Sequence, residues 1–203
     1  NIMAYKIVYA IFYAISLLPY RVMYCISDFF YLIIYYIVGY RKNVVRKNLT
    51  TAFPDKDEKE IVSIEKGYYH WLCDYFVEAL KLLSVSDKTL LKHIEFRNVE
   101  ELEQHYDRGQ TCAAILGHYC NWELLSATGL AFKRHKNAVC GLIYHPLRSD
   151  IFDELFKDIR QSKGGVCVPK RDILRYLVTY KREKRMWLFG YISDQSPKWS
   201  NIH

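Results

Sequence analysis

The sequence predicts an α/β fold: a mostly parallel sheet flanked by helices, preceded by an N-terminal membrane-associated helical segment. Two observations lead to this prediction. Beyond residue 90, short apolar runs of strand length alternate with longer segments of helical spacing, which is how chains that build parallel sheets are organised. Residues 2–40, in contrast, are almost entirely aliphatic and aromatic. We therefore divide the chain into apolar helices over 1–40 and an α/β domain over 41–203.

The N-terminal segment carries only three charged residues between Ile2 and Tyr40, namely Lys6, Arg21 and Asp28. Its first helix is short for a membrane span of about 20 apolar residues, and its second contains Asp28. We therefore expect helices that lie in or dip into the membrane interface, with tyrosines at headgroup level. The alternative is a hydrophobic helical hairpin packed on the following domain.

A basic cluster follows directly, with Arg41, Lys42, Arg46 and Lys47. By the positive-inside rule it should face the cytoplasm. The formal net charge of +7 also favours an anionic partner, such as a membrane surface, a phosphorylated lipid or an acidic carrier protein. Nucleic acid is not expected, because the basic residues are spread along the chain without a recognisable binding signature.

The remaining elements can be read from spacing. Phe53-Pro54-Asp55 interrupts the chain, and residues 56–83 then show a wide apolar stripe at helical spacing, typical of ordinary packing. Candidate strands are 111–116, 138–144, 166–168 and 186–192, and candidate helices are 122–132, 150–161 and 172–181. Gly164-Gly165 is interpreted as the turn that ends a helix.

The six cysteines are widely scattered and form no C-x-x-C pair, so a metal site is not predicted. Cys112, Cys140 and Cys167 fall inside apolar runs and are interpreted as small buried residues in a reducing compartment. Cys120 is different because it lies two residues after His118. A thiol nucleophile activated by this histidine is therefore an alternative.

The most informative motif is His118 followed by Glu123, with four residues between them. In a continuous helix these residues would be rotated by about 140° from each other, so they meet only if a turn intervenes. Gly117 supplies such a turn after an apolar strand, and Asn121 is a candidate N-cap for the next helix. A carboxylate that holds one ring nitrogen protonated leaves the other free to accept a proton from a hydroxyl.

One alternative remains for this motif. His118 could be a core histidine bound to a backbone carbonyl, with Glu123 a solvated residue at a helix start. The location favours a functional role, because ligands bind beyond the carboxyl ends of parallel strands. His118 follows one predicted strand, and Asp194-Gln195 follows another.

With these residues in hand, the chain resembles the late acyltransferases of lipid A biosynthesis, the lauroyl/myristoyl acyltransferase family within the glycerolipid acyltransferase-like group. The resemblance rests on several stretches in order: residues 40–49, Ala52-Phe53-Pro54, the aromatic helix with Glu78 near its end, residues 117–123, Ile143-Tyr144-His145-Pro146, the region from Arg160 to Gly164-Gly165, and Asp194-Gln195-Ser196-Pro197.

The resemblance implies an enzyme on the cytoplasmic face of the cell inner membrane. It would move a fatty acyl chain from acyl carrier protein to a hydroxyl of a membrane lipid, a lipid A precursor, without a metal or organic cofactor. His118 would be the general base and Glu123 its orienting partner. Substrate-binding candidates are His145, Arg148, Arg160, Lys170, Asp194 and Gln195. The alternative for Arg160 and Lys170 is a solvated surface position. Asp194 would position Arg148 or a substrate hydroxyl, or else be a turn residue before Pro197.

Three departures from the family pattern are visible. Cys120 stands where the family usually has glycine, His145 stands where it commonly has arginine, and family members continue through further strands beyond the point where this sequence stops at His203. Three alternative functions remain open: acylation of another lipid, such as an aminolipid or lysophospholipid; a hydrolase using Cys120 with His118; and a non-catalytic membrane-binding protein.

Overall fold

A computed structural model describes residues 2–194 of the protein. The helices are α1 Ile2–Ser16, α2 Tyr20–Leu32 with a π-helical continuation Ile33–Val38, α3 Lys42–Ala52, α4 Glu58–Lys81, α5 Asp87–Leu90, α6 Val99–Asp107, a 3-10 helix Trp122–Ala131, α7 Asp150–Gln161 and α8 Ile173–Arg182. The strands are β1 Cys112–Leu116, β2 Val139–Tyr144, β3 Val166–Pro169 and β4 Trp187–Ile192.

The four strands form one sheet in the order β1-β4-β2-β3, and every pairing is parallel. The predicted parallel sheet flanked by helices is confirmed, and each strand lies within one residue of its predicted limits. Leu116 pairs with Ile192 and Tyr144 pairs with Pro169. All four strands therefore end at the same edge of the sheet, where side chains from the following loops can converge.

The two faces of the sheet are covered differently. On one face, Val139, Val168 and Phe189 form a buried cluster with Tyr180 of α8. Gly141 is required on this face, because a Cβ atom there would lie 1.9 Å from a ring carbon of Phe189. The opposite face is covered by the 3-10 helix and α7, which contact β2 and β3, and it carries the cavity described below.

α4 is the long helix that spans from the N-terminal segment to the site. A capping box begins it: the Asp57 side chain accepts a hydrogen bond from the Glu60 backbone at 2.8 Å, and the Glu60 carboxylate accepts one from the Asp57 N–H at 3.3 Å. Of the predicted stripe, Ile61 and Tyr75 are buried, whereas Tyr68 and Phe76 are exposed. The buried face is therefore rotated from the predicted one. Tyr75 on the same stripe has a further role in the site.

The apolar N-terminal helices pack on the rest of the protein. α1 and α2 contact α4, and α1 also contacts α7. Lys81 Nζ donates hydrogen bonds of 2.7 Å to the carbonyl oxygens of Ser16 and Leu18, which stabilise the end of α1. This packing matches the alternative of a packed hairpin. The outer faces remain exposed, as expected for interface helices, at Ile2, Met3, Ile7, Ile11, Phe29, Phe30, Ile37 and Val38.

The segment Tyr20–Val38 is, by length and composition, able to cross a membrane. It has 19 residues with a mean hydropathy of 1.5, and 17% of the window tested is buried in the protein. On this criterion Asp28 does not exclude a membrane span. A spanning helix is therefore possible beside the predicted interface helices.

The basic cluster is partly committed to internal contacts. Arg46 Nε lies 2.6 Å from Oε2 of the fully buried Glu65, whose Oε1 accepts a hydrogen bond of 2.9 Å from the Tyr35 hydroxyl. Lys42 Nζ lies 3.8 Å from the centroid of the Tyr35 ring. These contacts fasten α3 to α4 and to the π-helical segment, so Arg46 is a packing residue as well as a surface charge.

Candidate active site

A cavity of about 440 Å³ opens at the carboxyl edge of the sheet, and we call it the active-site cavity. Its floor is built from Leu116, Leu142, Gly190 and Ile192 of three neighbouring strands. His118 lines it from the loop after β1, and Trp122 and Glu123 line it from the 3-10 helix. His118 thus follows the end of β1, as predicted, and borders the cavity.

His118 is held by Asp194, which follows β4. Nδ1 of His118 lies 2.7 Å from Oδ1 of Asp194, and the backbone N–H of His118 donates a hydrogen bond of 2.8 Å to Oδ2. These hydrogen bonds hold the pKa of the Asp194 carboxyl below its usual range. A carboxylate at Nδ1 selects the tautomer with the proton there, which leaves Nε2 as the accepting nitrogen.

The loop between β1 and the 3-10 helix fits closely around this pair. A Cβ atom at Gly117 would lie 3.4 Å from Oδ2 of Asp194. The Trp122 ring stands nearly perpendicular to the imidazole, with centroids 5.0 Å apart and an interplanar angle of 83°. The imidazole side chain stays 34% exposed, so it is restrained and still accessible to a substrate.

Glu123 binds a different set of partners. Its carboxylate is 1% exposed and receives Arg160 Nε at 2.7 Å on Oε2 and an Arg160 terminal nitrogen at 2.6 Å on Oε1. The Tyr75 hydroxyl donates a third hydrogen bond to Oε1 at 2.9 Å. Although burial opposes the charged form of Arg160, the Glu123 carboxylate raises its pKa above the usual value. Burial and the adjacent carboxylate also raise the pKa of Tyr75.

The expected direct pairing of His118 with Glu123 is therefore not formed. Both side chains line the same cavity, but among the described residues the imidazole hydrogen-bonds to Asp194 and the Glu123 carboxylate to Tyr75 and Arg160. The reason is electrostatic: a carboxylate that is almost fully buried needs a charged, hydrogen-bonding partner, and the guanidinium of Arg160 provides two aligned donors.

Asn121 does not act as the predicted N-cap. Its side chain makes no capping hydrogen bond; instead, Nδ2 donates to Glu78 Oε2 at 2.7 Å. The Tyr24 hydroxyl donates to the other oxygen of Glu78 at 2.8 Å. The loop that carries His118 is thus connected through α4 to α2. The following helix is 3-10 rather than α, and it contains Ser126, Thr128 and Gly129, which are poor helix formers.

The substrate-binding candidates occupy different places. His145 and Lys170 are exposed and line the active-site cavity, whereas Arg160 lines it from the buried pair with Glu123. Arg148 is exposed and is not among the residues that line the cavity. The Asp194 carboxylate contacts His118 rather than the predicted Arg148. Gln195 lies outside the described residues.

The Cys120 side chain is exposed, and its backbone adopts a positive φ of 50°. This left-handed conformation is one that glycine adopts readily and other residues rarely. Cys140 and Cys167 are buried, as predicted, and burial raises the pKa of each thiol to about 11. Cys112, also predicted to be buried, is only half-buried.

Tyr75 is the site residue that the sequence interpretation missed, because it was assigned to the packing stripe of α4. The sequence did contain a signal for this role, because a tyrosine on a buried apolar stripe carries a hydroxyl group. A buried hydroxyl requires a hydrogen-bond partner.

Comparison with known families gives a match over nearly the whole chain. Residues 2–198 match the bacterial lipid A biosynthesis acyltransferase family. A comparison with curated proteins found no match. The family match includes all the elements that build the active-site cavity and the His118–Asp194 pair. The chain therefore belongs to the bacterial lipid A biosynthesis acyltransferase family.

Proposed function

We propose that the protein transfers a fatty acyl chain from acyl carrier protein to a hydroxyl of a lipid A precursor, with His118 as the general base. The observation that carries this proposal is the contact between His118 Nδ1 and Asp194 Oδ1 at 2.7 Å beside an open cavity. It leaves Nε2 of an accessible imidazole available to accept a proton. Family membership supports acyl transfer in lipid A biosynthesis.

The reaction balances without any further reactant. The acceptor hydroxyl attacks the thioester carbonyl carbon while Nε2 of His118 takes its proton. The tetrahedral intermediate collapses with cleavage of the carbon–sulfur bond, and the imidazolium returns the proton to the leaving thiolate. The products are an ester and a free carrier thiol. Base catalysis of this kind contributes about 10²- to 10⁴-fold, so binding and oxyanion stabilisation supply the rest.

Asp194 is proposed as the orienting partner of His118, in place of Glu123. Its carboxylate fixes the imidazole orientation and favours the imidazolium that forms during the reaction. Glu123 is proposed as a positioning residue, because its contacts with Tyr75 and Arg160 join the 3-10 helix to α4 and α7 directly after the histidine loop.

Two further groups of atoms suit the reaction. The backbone N–H groups of Trp122 and Glu123 begin the 3-10 helix, where no earlier carbonyl of that helix is available to bind them. They are proposed as donors to the developing oxyanion. His145 and Lys170, both exposed at the cavity, are proposed to contact phosphate groups of the carrier or of the lipid, together with Arg148 from the same edge.

The proposed location is the cytoplasmic face of the inner membrane. It is supported by the exposed apolar faces of α1 and α2 and by the basic cluster that follows them. Anionic headgroups attract such juxtamembrane basic segments. Acyl carrier protein would reach the cavity from the cytoplasm.

The test is transfer by the purified protein of a radiolabelled acyl chain from acyl carrier protein to a lipid A precursor. We expect His118→Ala to abolish transfer and His105→Ala to retain it, since His105 lies on α6 and contacts Gln110. Mass spectrometry of lipids from cells with and without the gene identifies the acceptor. Transfer only to an aminolipid or lysophospholipid would refute the acceptor assignment, and normal transfer by His118→Ala would refute the base assignment.

A further inference from the structure

The helix α8, which follows β3, carries an exposed apolar stripe that no described element of the protein covers. Leu174 is 74% exposed and Val178 is 61% exposed. They lie four residues apart, so their side chains are neighbours on one face of the helix. A different face of α8 packs on the sheet through Ile173, Leu177 and Tyr180. The stripe therefore contributes nothing to the core formed by the described residues.

Basic side chains border this stripe. The side chains of Arg171 and Arg175 are 84% and 75% exposed, and each has a contact of 3.7 Å with Asp172. Ion pairs of this kind in solvent contribute little, so both guanidinium groups remain available to a partner. We define the α8 surface as the stripe together with the exposed basic residues at helical spacing from it, namely Arg171, Leu174, Arg175, Val178, Lys181 and Arg182.

The positive charge of the protein is concentrated around the α8 surface. Residues 170–185 contain seven basic and two acidic residues, a formal charge of +5 out of +7 for the whole chain. Opposite charge on a partner steers its approach, and apolar contact at the centre of an interface supplies much of the affinity. The α8 surface therefore suits an acidic protein that presents apolar side chains between its carboxylates.

A basic amphipathic helix can also lie on an anionic membrane, but the position of α8 argues against this. α8 packs on the face of the sheet that carries Val139, Val168 and Phe189. The helix α7, which contacts α1, covers the opposite face, and the exposed apolar residues of α1 and α2 lie on that side. The sheet therefore separates the α8 surface from the proposed membrane surface, and its partner approaches from the cytoplasm.

The α8 surface begins beside the active-site cavity. Lys170 lines the cavity and directly precedes Arg171, and its backbone N–H donates a hydrogen bond of 2.9 Å to the Tyr144 carbonyl. His118 lies at the other end of the cavity, because it follows β1 and Lys170 follows β3. Three strand spacings separate the two positions, about 14 Å. An extended phosphopantetheine arm reaches across such a distance.

We infer that the α8 surface is the docking site of the acyl carrier protein. This inference rests on the proposed acyl transfer at His118. Leu174 and Val178 would contact apolar residues of the carrier, and Arg171 and Arg175 would pair with its carboxylates. The phosphopantetheine arm would enter the cavity beside Lys170 and bring the thioester to His118.

The experiment compares two donors that carry the same acyl chain, one on acyl carrier protein and the other on pantetheine alone. We expect Arg175→Glu and Leu174→Gln each to lower kcat/KM for the carrier-bound donor, relative to the pantetheine donor, by at least about tenfold. Lys88→Glu makes the same change of charge on α5, which packs beside α7 through Leu90. It should leave this ratio unchanged.

A titration with acyl carrier protein that bears no acyl chain measures docking without catalysis. Its Kd should rise by at least about tenfold in Arg175→Glu and Leu174→Gln. The Kd of the wild-type protein should also rise with salt, and more steeply than that of Arg175→Glu, because salt screens exposed charges. Thermal unfolding checks that the variants are folded, since substitutions at exposed positions rarely change stability by more than about 0.5 kcal/mol.

The outcomes separate this inference from the proposed function. If the wild-type protein transfers no chain from either donor, the proposed function fails, and the titration still decides the docking site. If both substitutions leave the donor ratio and the Kd as they are in Lys88→Glu, the inference alone is overturned. It is also overturned if Arg175→Glu weakens binding to phosphatidylglycerol vesicles and not to the carrier, because α8 then meets the membrane.

Discussion

Asp194 binds His118 at two points, through the imidazole Nδ1 at 2.7 Å and through the backbone N–H at 2.8 Å. The two residues are 76 positions apart in the chain. Both follow parallel strands that are neighbours in the sheet, β1 and β4. The orientation of the proposed base is therefore set by the pairing of these strands and not by the residues near it in sequence.

Replacement of Asp194 tests this relationship. We expect Asp194→Asn to lower kcat by about 10²- to 10⁴-fold, because the amide no longer stabilises the imidazolium or selects its tautomer. KM for the acyl donor should change little. The double variant with His118→Ala should be no slower than His118→Ala alone, since the two residues act as a unit. Additive losses in the double variant would contradict the pairing.

Glu123 and Arg160 offer a test of stability. Glu123→Gln leaves the largely buried guanidinium without its counter-charge, so the free energy of unfolding should fall by about 3 kcal/mol. The double change Glu123→Leu with Arg160→Met should recover most of this loss, because apolar side chains can replace a buried ion pair. Tyr75→Phe removes one hydrogen bond and is the milder control, since it should lower the free energy of unfolding by about 1 kcal/mol.

Denaturant unfolding in detergent measures these free energies. A double variant as unstable as Glu123→Gln would show that the unpaired guanidinium is not the cause of the loss.

Cys120 can be tested through its backbone conformation. Since its φ is 50°, Cys120→Gly should raise the free energy of unfolding by about 1 kcal/mol. Cys120→Ser retains the strain and should leave stability and acyl transfer nearly unchanged. Thermal unfolding and the transfer assay measure both effects. Loss of transfer in Cys120→Ser would instead favour a hydrolase with a thiol nucleophile.

The hydrogen bonds of Glu103 indicate that the stability of the protein depends on pH. Its Oε1 accepts hydrogen bonds from the backbone N–H groups of Lys133, Arg134 and His135, at 2.9, 2.6 and 3.1 Å. The Arg134 backbone hydrogen bond and its neighbours hold the pKa of Glu103 below the ordinary value of 4.5. The stabilisation is therefore complete above pH 4.5 and is lost as the pH falls through the folded-state pKa.

We expect Glu103→Gln to lower Tm by about 2–4 °C at pH 7, and this difference to shrink as the pH is reduced below the ordinary pKa of glutamate. Glu101→Gln, an exposed neighbour on the same helix, should have little effect at either pH. A Tm difference that stays constant or grows towards acid pH would reverse the expected sign.

The strands and most helices could be predicted because their signals are local. Apolar runs such as residues 112–116 and the periodic stripe of α4 reflect which side chains must leave water, and neighbouring residues contain that information. The same reasoning placed His118 at a strand end. It failed at residues 121–131, where Asn121 contacts Glu78 rather than capping the helix, since a distant carboxylate competes for the amide.

The sequence alone thus determined the α/β class, the apolar N-terminal segment and the histidine at the edge of the sheet, because local periodicity and turn residues decide these features. Only the tertiary structure decided the partners of the charged groups: Asp194 for His118, and Arg160 with Tyr75 for Glu123. Short spacing made Glu123 look like the partner of His118. In the folded protein Glu123 is buried, and a desolvated carboxylate binds the strongest available donors. Those donors come from helices distant in sequence.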